Sequence, residues 1–168
     1  MEISNHATGK FKGRLGDSRL AKKIASNIEG SVLFDRFSRG LYSTDASIYQ
    51  IEPIGVVVPK TIKDIESVIT IAGQEGLPLL ARGGGTSQCG QTVGQSLIVD
   101  TSKYLNRIFD VDLLNKSIWV EPGVILDHLN SVLKPYGLWF PVDVSTSSRA
   151  TIGGMAGNNS CGSRSIRY

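Results

Sequence analysis

Apolar residues first fall into a helical rhythm between Asp17 and Gly30. Asp17-Ser18 offers a cap, and Leu20, Ile24 and Ile28 recur on one face, which predicts a helix to about Ile28. From Asp35 to Gln50 the rhythm lapses into turn-rich stretches, Arg36-Phe37-Ser38-Arg39-Gly40 and Ser43-Thr44-Asp45, read as connector. Ile54-Gly55-Val56-Val57-Val58 is a β-branched run stopped by Pro59, the pattern of a buried strand. Thr61 with Asp64 three residues on reads as a capping box with Asp in place of Glu, opening a helix whose Ile62, Ile65, Val68, Ile69 and Ala72 make an apolar face. Gly73 and Gly76 are expected to end it. Leu77–Ala81 reads as a short strand, followed by strands at 97–100, 106–111 and 117–120, the last two joined by a tight turn at 112–116. Pro122-Gly123 opens a helix with Val124, Ile125, Leu129, Val132 and Leu133 inward, closed by Pro135-Tyr136-Gly137. A last apolar stretch, Leu138–Pro141, follows. The alternation predicts an α/β or α+β domain with mixed strand directions.

Composition narrows the class. With 168 residues, 40% hydrophobic and 20% charged, the chain has the means to build one core. No stretch approaches the ~18–20 apolar residues of a membrane helix, and Met1–Asn5 opens no signal-peptide core, so a soluble cytoplasmic protein is expected. Cys89 and Cys161 are too few for a disulfide framework, a four-cysteine cluster or an iron–sulfur centre, and a reduced pair is expected. His6 and His128 are the histidines, too few for a zinc site of the usual kind; no metal is expected, and His128 reads as a surface residue. The net charge of +3 is uneven: residues 1–40 hold eight Lys/Arg against four acids. That segment suits either an acidic partner or a solvated helix face. Without aromatic interleaving the second reading is preferred, and no nucleic acid is expected.

Glycine decides where the chemistry is sought. Of 19 glycines, Gly83, Gly84, Gly85, Gly90 and Gly94 fall within twelve residues, and Gly153, Gly154, Gly157 and Gly162 within ten. Both stretches lack charge and are rich in Ser, Thr, Asn or Gln. A glycine loop after a strand lets successive amide N–H groups converge on a phosphate, with Thr86 and Ser87 adding hydroxyls and Arg82 charge. A hairpin or surface turn is the alternative. A P-loop is excluded because no lysine lies between Lys63 and Lys103, and the dinucleotide fingerprint Gly-x-Gly-x-x-Gly fails at Gln88.

The stretch Pro78-Leu79-Leu80-Ala81-Arg82-Gly83-Gly84-Gly85-Thr86-Ser87, then Gly90-Gln91, resembles the pyrophosphate loop of FAD-binding domains in the vanillyl-alcohol oxidase and p-cresol methylhydroxylase superfamily. About 65 residues on, Thr151-Ile152-Gly153-Gly154-Met155-Ala156-Gly157-Asn158-Asn159-Ser160-Cys161-Gly162, followed by Arg167-Tyr168, resembles its second FAD loop. Val120–Val124 and Phe140–Asp143 fit the same pattern. Tyr42–Tyr49 and the Asn158–Gly162 wording are most similar to the glycolate-oxidase-like and D-2-hydroxyacid dehydrogenases. The resemblance implies an α+β PCMH-type FAD-binding fold: a small mixed sheet plus part of a second sheet, with flanking helices, incomplete at the C-terminus. Residues 1–50 would be a basic helical extension and connector, and 51–168 the N-terminal portion of the FAD-binding domain.

It also implies roles. Arg82, Gly83, Gly84, Gly85, Thr86, Ser87 and Gln91 would line the pyrophosphate. Pro122 and Gly123 would pass near the adenosine, and Pro141, Asp143 and Ser145 would border the dinucleotide. Thr151, Gly153, Gly154, Asn159 and Gly162 would form the opposite wall. Flavinylated relatives carry a histidine where Thr86 stands, so the FAD is expected to be noncovalent. A carboxylate placed at Gly84 is expected to block the pyrophosphate while the protein still folds. No acid/base pair emerges, so no catalytic residue is expected in these residues. The expectation is the FAD-holding part of a 2-hydroxyacid dehydrogenase acting on a glycolate, D-lactate or D-2-hydroxyglutarate-like substrate. A missing C-terminal half or companion chain would supply the substrate domain, and the chain alone would be inactive and weakly stable. The alternative is a non-catalytic, truncated nucleotide-binding module; a cell-wall precursor reductase with the same domain is a third reading.

Overall fold

The structure, a computed structural model, describes residues 14–167. Met1–Asn5, His6, Lys10, Lys12 and Tyr168, named above, lie outside them. The chain divides into two compact units. The first runs to Ala81 and includes Ser87–Asp100; the second holds Arg82–Thr86 and the residues from Thr101 onward.

In the first unit, helix α1 (Ser18–Ala25) starts where the Asp17 carboxylate accepts the N–H groups of Arg19 and Leu20. Strand β1 (Ser31–Leu33) follows, then helix α2 (Arg36–Leu41), strand β2 (Gly55–Val58), helix α3 (Ile62–Glu75), strand β3 (Leu79–Arg82) and strand β4 (Leu97–Asp100). The sheet order is β1-β2-β4-β3, with β1 antiparallel and β4 parallel to β2. All four residues of β2 and of β4 are buried, so their sequences do not alternate, and β4 runs apolar up to the buried Asp100. Leu20, Ile24, Phe34, Val57, Val68, Ile71 and Leu97 share one core, and the Phe34 ring lies where a side chain at Gly55 would stand.

Two elements of the first unit were not expected at all. The supposed connector contains α2, nucleated by Asp35 accepting the Ser38 N–H; no residue of this helix is buried, so it leaves no apolar period to read. Strand β1 has three residues, too few for a pattern. In α3, Gly73 lies inside the helix and Gly76 ends it in the left-handed conformation. Ile62 and Ile69 are exposed while Ile71 is buried, which rotates the inner face from the one expected. Thr61 caps the Asp64 N–H, but the Asp64 carboxylate turns to the N–H groups of Lys60 and Glu29 at 2.8 and 3.0 Å.

Glu75, at the end of α3, accepts Arg14 and Lys23 at 2.9 Å, with Arg19 at 3.5 Å. Hydrogen bonds from Lys23 and Arg14 hold its carboxyl down from the ordinary 4.5 to about 2. A depressed folded pKa stabilises the fold above the unfolded value and loses that effect as pH falls through the folded value. Glu75→Gln is therefore expected to lower the urea midpoint near neutral pH, with the gap closing between 4.5 and about 2. A gap that stays constant down to the acid end would contradict this.

In the second unit, strands β5 (Ile108–Asp112) and β6 (Ser117–Val120) form an antiparallel pair with an irregularity between Ile108 and Val111. Ile108, Val111, Ile118 and Val120 pack with Val124 and with Leu129 and Leu133 of helix α4 (Leu126–Leu133). The buried Glu121 takes three hydrogen bonds from Arg107, at 2.7–2.9 Å, through its backbone N–H and its guanidinium. A 3₁₀ turn, Lys134–Tyr136, ends α4, and the stretch 138–141 forms no strand. The second glycine-rich stretch, expected as a loop, is largely helix α5 (Ile152–Gly157).

Candidate functional site

Strand β3 delivers the first glycine segment at Arg82. Among the described residues, none accepts a hydrogen bond from the N–H groups of Gly83, Gly84, Gly85 and Thr86. Gly85 is left-handed, with φ +65°, and a Cβ there would stand 2.7 Å from Nη2 of Arg82. The guanidinium thus lies beside Gly85, within this run of donors. Successive donors beside a fixed cation suit a polyanion, and a pyrophosphate offers oxygens to both.

The second segment spends its donors within the protein. Thr151, 2% exposed, caps α5 by accepting the Gly154 N–H at 3.2 Å. The N–H groups of Ile152, Gly153 and Met155 go to Val124, Pro122 and Thr151 carbonyls at 2.8 Å each. The two segments meet here: a Cβ on Gly83 would overlap Thr151 Oγ1 and lie 3.6 Å from the Gly154 Cα. Gly153 is pressed on Pro122, and the buried Gly123 on the carbonyls of Thr101 and Leu105. Gly84 faces the Arg149 carbonyl rather than open space, so Gly84→Asp would displace the 146–150 turn as well as add charge. That corrects the expectation that such a change spares the scaffold.

The other candidates fall as follows. Asp143 accepts the Ser163 hydroxyl at 2.7 Å and the Arg164 N–H at 3.4 Å, and Gly162 packs on it. The Ser163 bond holds its carboxyl below the ordinary value. With the Arg164 guanidinium 4.9 Å from the Trp139 ring centroid, Asp143 ties segment 162–164 to 139–143. Asn159 is exposed and left-handed at φ 49°; Ser145 is exposed and Pro141 half-buried. Ser87 and Gln91 belong to the first unit, where the stretch 42–50 supports their loop. Sequence reasoning missed Asp45 and Tyr49 in that stretch; the signal available was the dense Tyr-Ser-Thr-Asp-Ala-Ser run itself.

Cys89 and Cys161 are exposed thiols, and His128 is exposed. Among the described residues no three His, Cys, Asp or Glu side chains gather to hold a metal, and no helix is long and apolar enough to cross a membrane.

Residues 53–168 match the family described as FAD binding domain. The chain is 41% identical over 129 residues to D-2-hydroxyglutarate dehydrogenase of Pantoea ananatis, covering 75% of this chain and 13% of that protein. It is 34% identical over 151 residues to glycolate oxidase subunit GlcD of Bacillus subtilis, covering 88% of this chain and 32% of that one. Among solved structures, alkyldihydroxyacetonephosphate synthase superposes with a TM-score of 0.78 at 17% identity, over 89% of this chain and 33% of the other. That likeness is one of fold.

Proposed function

Because the chain belongs to the FAD binding domain family, with its α+β PCMH-type fold, we propose that it holds FAD noncovalently for the oxidation of a 2-hydroxy acid. The observation that carries the reading is the run of four N–H groups from Gly83 to Thr86 that no described residue accepts, with the Arg82 guanidinium beside Gly85. Donors left to solvent are available to an incoming acceptor, and the charge nearby favours an anionic one. The substrate class is taken from the D-2-hydroxyglutarate dehydrogenase and glycolate oxidase relatives. Groups that bind the hydroxy acid would belong to the part of the relatives' length that this chain does not span.

FAD supplies a hydride acceptor for the carbon bearing the hydroxyl. This chain's residues do the holding. Arg82 and the Gly83–Thr86 amides receive the pyrophosphate, while Thr151 and Gly154 of the α5 start and the Arg149 carbonyl press on the loop. Thr86 offers no imidazole for attachment to the flavin. The exposed thiols of Cys89 and Cys161 fit a reducing compartment, and we place the protein in the cytoplasm.

Acid precipitation tests the noncovalent assignment. The FAD-loaded protein is expected to be yellow and to release all its flavin to the supernatant. Flavin retained in the pellet, or a protein that takes up no flavin, would contradict the reading.

A further inference from the structure

We infer that Asp45 is a positioning residue for the cofactor loop: with Tyr49 it fixes the chain on both sides of Gln91. The inference rests on the proposed holding of FAD and on the role that the resemblance implies for Gln91. The stretch carrying Asp45 is closed on itself. Thr44 and Gln50 form an antiparallel bridge, the Ile51 N–H donates to the Ser43 carbonyl at 2.9 Å, and the Gln50 amide reaches the Ser43 hydroxyl at 3.4 Å. Within this closed strap Asp45 Oδ1 accepts the Ser47 N–H at 2.8 Å. Its other oxygen, Oδ2, accepts the Thr92 hydroxyl at 3.0 Å and the Thr92 N–H at 3.4 Å. On the opposite side of Gln91 stands Gly90, left-handed at φ +74°, where a Cβ would come 2.6 Å from Cδ2 of the Tyr49 ring. The loop is therefore gripped at the residue before Gln91 and at the residue after it.

A carboxylate is a poor direct partner for a pyrophosphate, because like charges repel. Both oxygens of Asp45 are also engaged by protein donors. Burial pushes its carboxyl up, but the hydrogen bonds from Ser47 and Thr92 outweigh this and hold it below the ordinary value. It stays an ionised acceptor whose bonds to Thr92 are charge-assisted. A loop already held in shape loses less freedom when ligand arrives, so the grip acts on FAD affinity through Thr92 rather than by contact.

The test is an FAD titration of the chain, followed by flavin fluorescence, with single and paired variants. Asp45→Ala and Thr92→Val are each expected to weaken FAD about tenfold, and the double variant also about tenfold, because the two changes remove one interaction. Thr92→Ser keeps the hydroxyl and is expected to keep the affinity, as is Asp110→Asn at an exposed carboxylate on β5. An additive, roughly hundredfold loss in the double variant would overturn the proposal. If Asp45→Ala does not fold, Asp45→Asn decides: it removes the charge, and faster hydrogen exchange at Gln91 and Thr92 with weaker FAD binding is expected. Unchanged exchange and affinity would overturn the proposal. Arg82→Glu separates the two failures. If it weakens FAD while Asp45→Ala does not, the positioning role falls and the pyrophosphate reading stands. If neither matters, or the unsubstituted chain binds no FAD, both fall.

Discussion

Reversing the charge at position 82, by Arg82→Glu, is expected to lower FAD affinity by at least about a hundredfold. Removing the guanidinium deletes the cation that lies over Gly85, and the carboxylate that replaces it faces a dianion. At an effective dielectric near ~20, a unit charge pair about 4 Å apart interacts by about 4 kcal/mol. Each ~1.4 kcal/mol is tenfold in affinity, so even half of that interaction exceeds one decade, and reversal counts attraction lost plus repulsion gained. The half-buried Arg82 side chain sits at a strand end rather than in a core. Isothermal titration at two salt concentrations checks the origin, because the difference between the two proteins should shrink as salt rises. Equal affinity for the two proteins would remove Arg82 from the site.

Gly83→Ala is the second large effect, and it acts by packing. The added methyl would occupy the place of Thr151 Oγ1, a buried atom that caps the Gly154 N–H. Overpacking typically costs about 1–3 kcal/mol and a lost cap about 0.5–2 kcal/mol. Together they correspond to a fall in melting midpoint of roughly 10 °C for a protein of this size. FAD affinity is expected to fall at least about tenfold as well, because the unclaimed amides are displaced with the loop. Gly157→Ala is the matched control. Nothing lies within 4 Å of a Cβ at that position, the last residue of α5. Alanine is the better helix former by up to about 1 kcal/mol, so stability should hold or rise and FAD binding should not change. A Gly83→Ala protein as stable as the parent would contradict the interlock.

What could be read from the residues follows how strongly each element's burial writes a period. β2, α3, β4 and the β5–β6 pair were legible because Val56–Val58, Val68 with Ala72, Leu97–Val99 and Ile118 with Val120 face a core in register with their geometry. α2 was not, since Phe37 and Leu41 are exposed and its helix depends on the Asp35 cap. α5 was read as a loop because three of its six residues are glycine. Its helix is imposed by the Thr151 cap and by Met155, whose side chain enters a core with Leu126 and Ala150. At the site, the positions of the glycines were legible but their directions were not. Gly83, Gly84 and Gly153 are small because another backbone or side chain lies against them, and that nearest neighbour comes from residues 31 to 68 positions away in the chain. Asp45 and Asp143 each look like solvated loop carboxylates in one dimension; their partners, Thr92 and Ser163, appear only in three.

Amide proton and nitrogen chemical shifts, followed while FAD is titrated into the isotopically labelled chain, test the central claim most directly. Gly83, Gly84, Gly85 and Thr86 have donors that no described residue accepts, whereas Gly153 and Gly154 already donate to the Pro122 carbonyl and to Thr151 Oγ1. The predicted result is that the four amide protons of the first segment move downfield together and saturate at one FAD per chain, as N–H groups do on meeting an anionic oxygen. The Gly153 and Gly154 amides should move little. Saturation with the Gly83–Thr86 resonances unmoved would contradict the account.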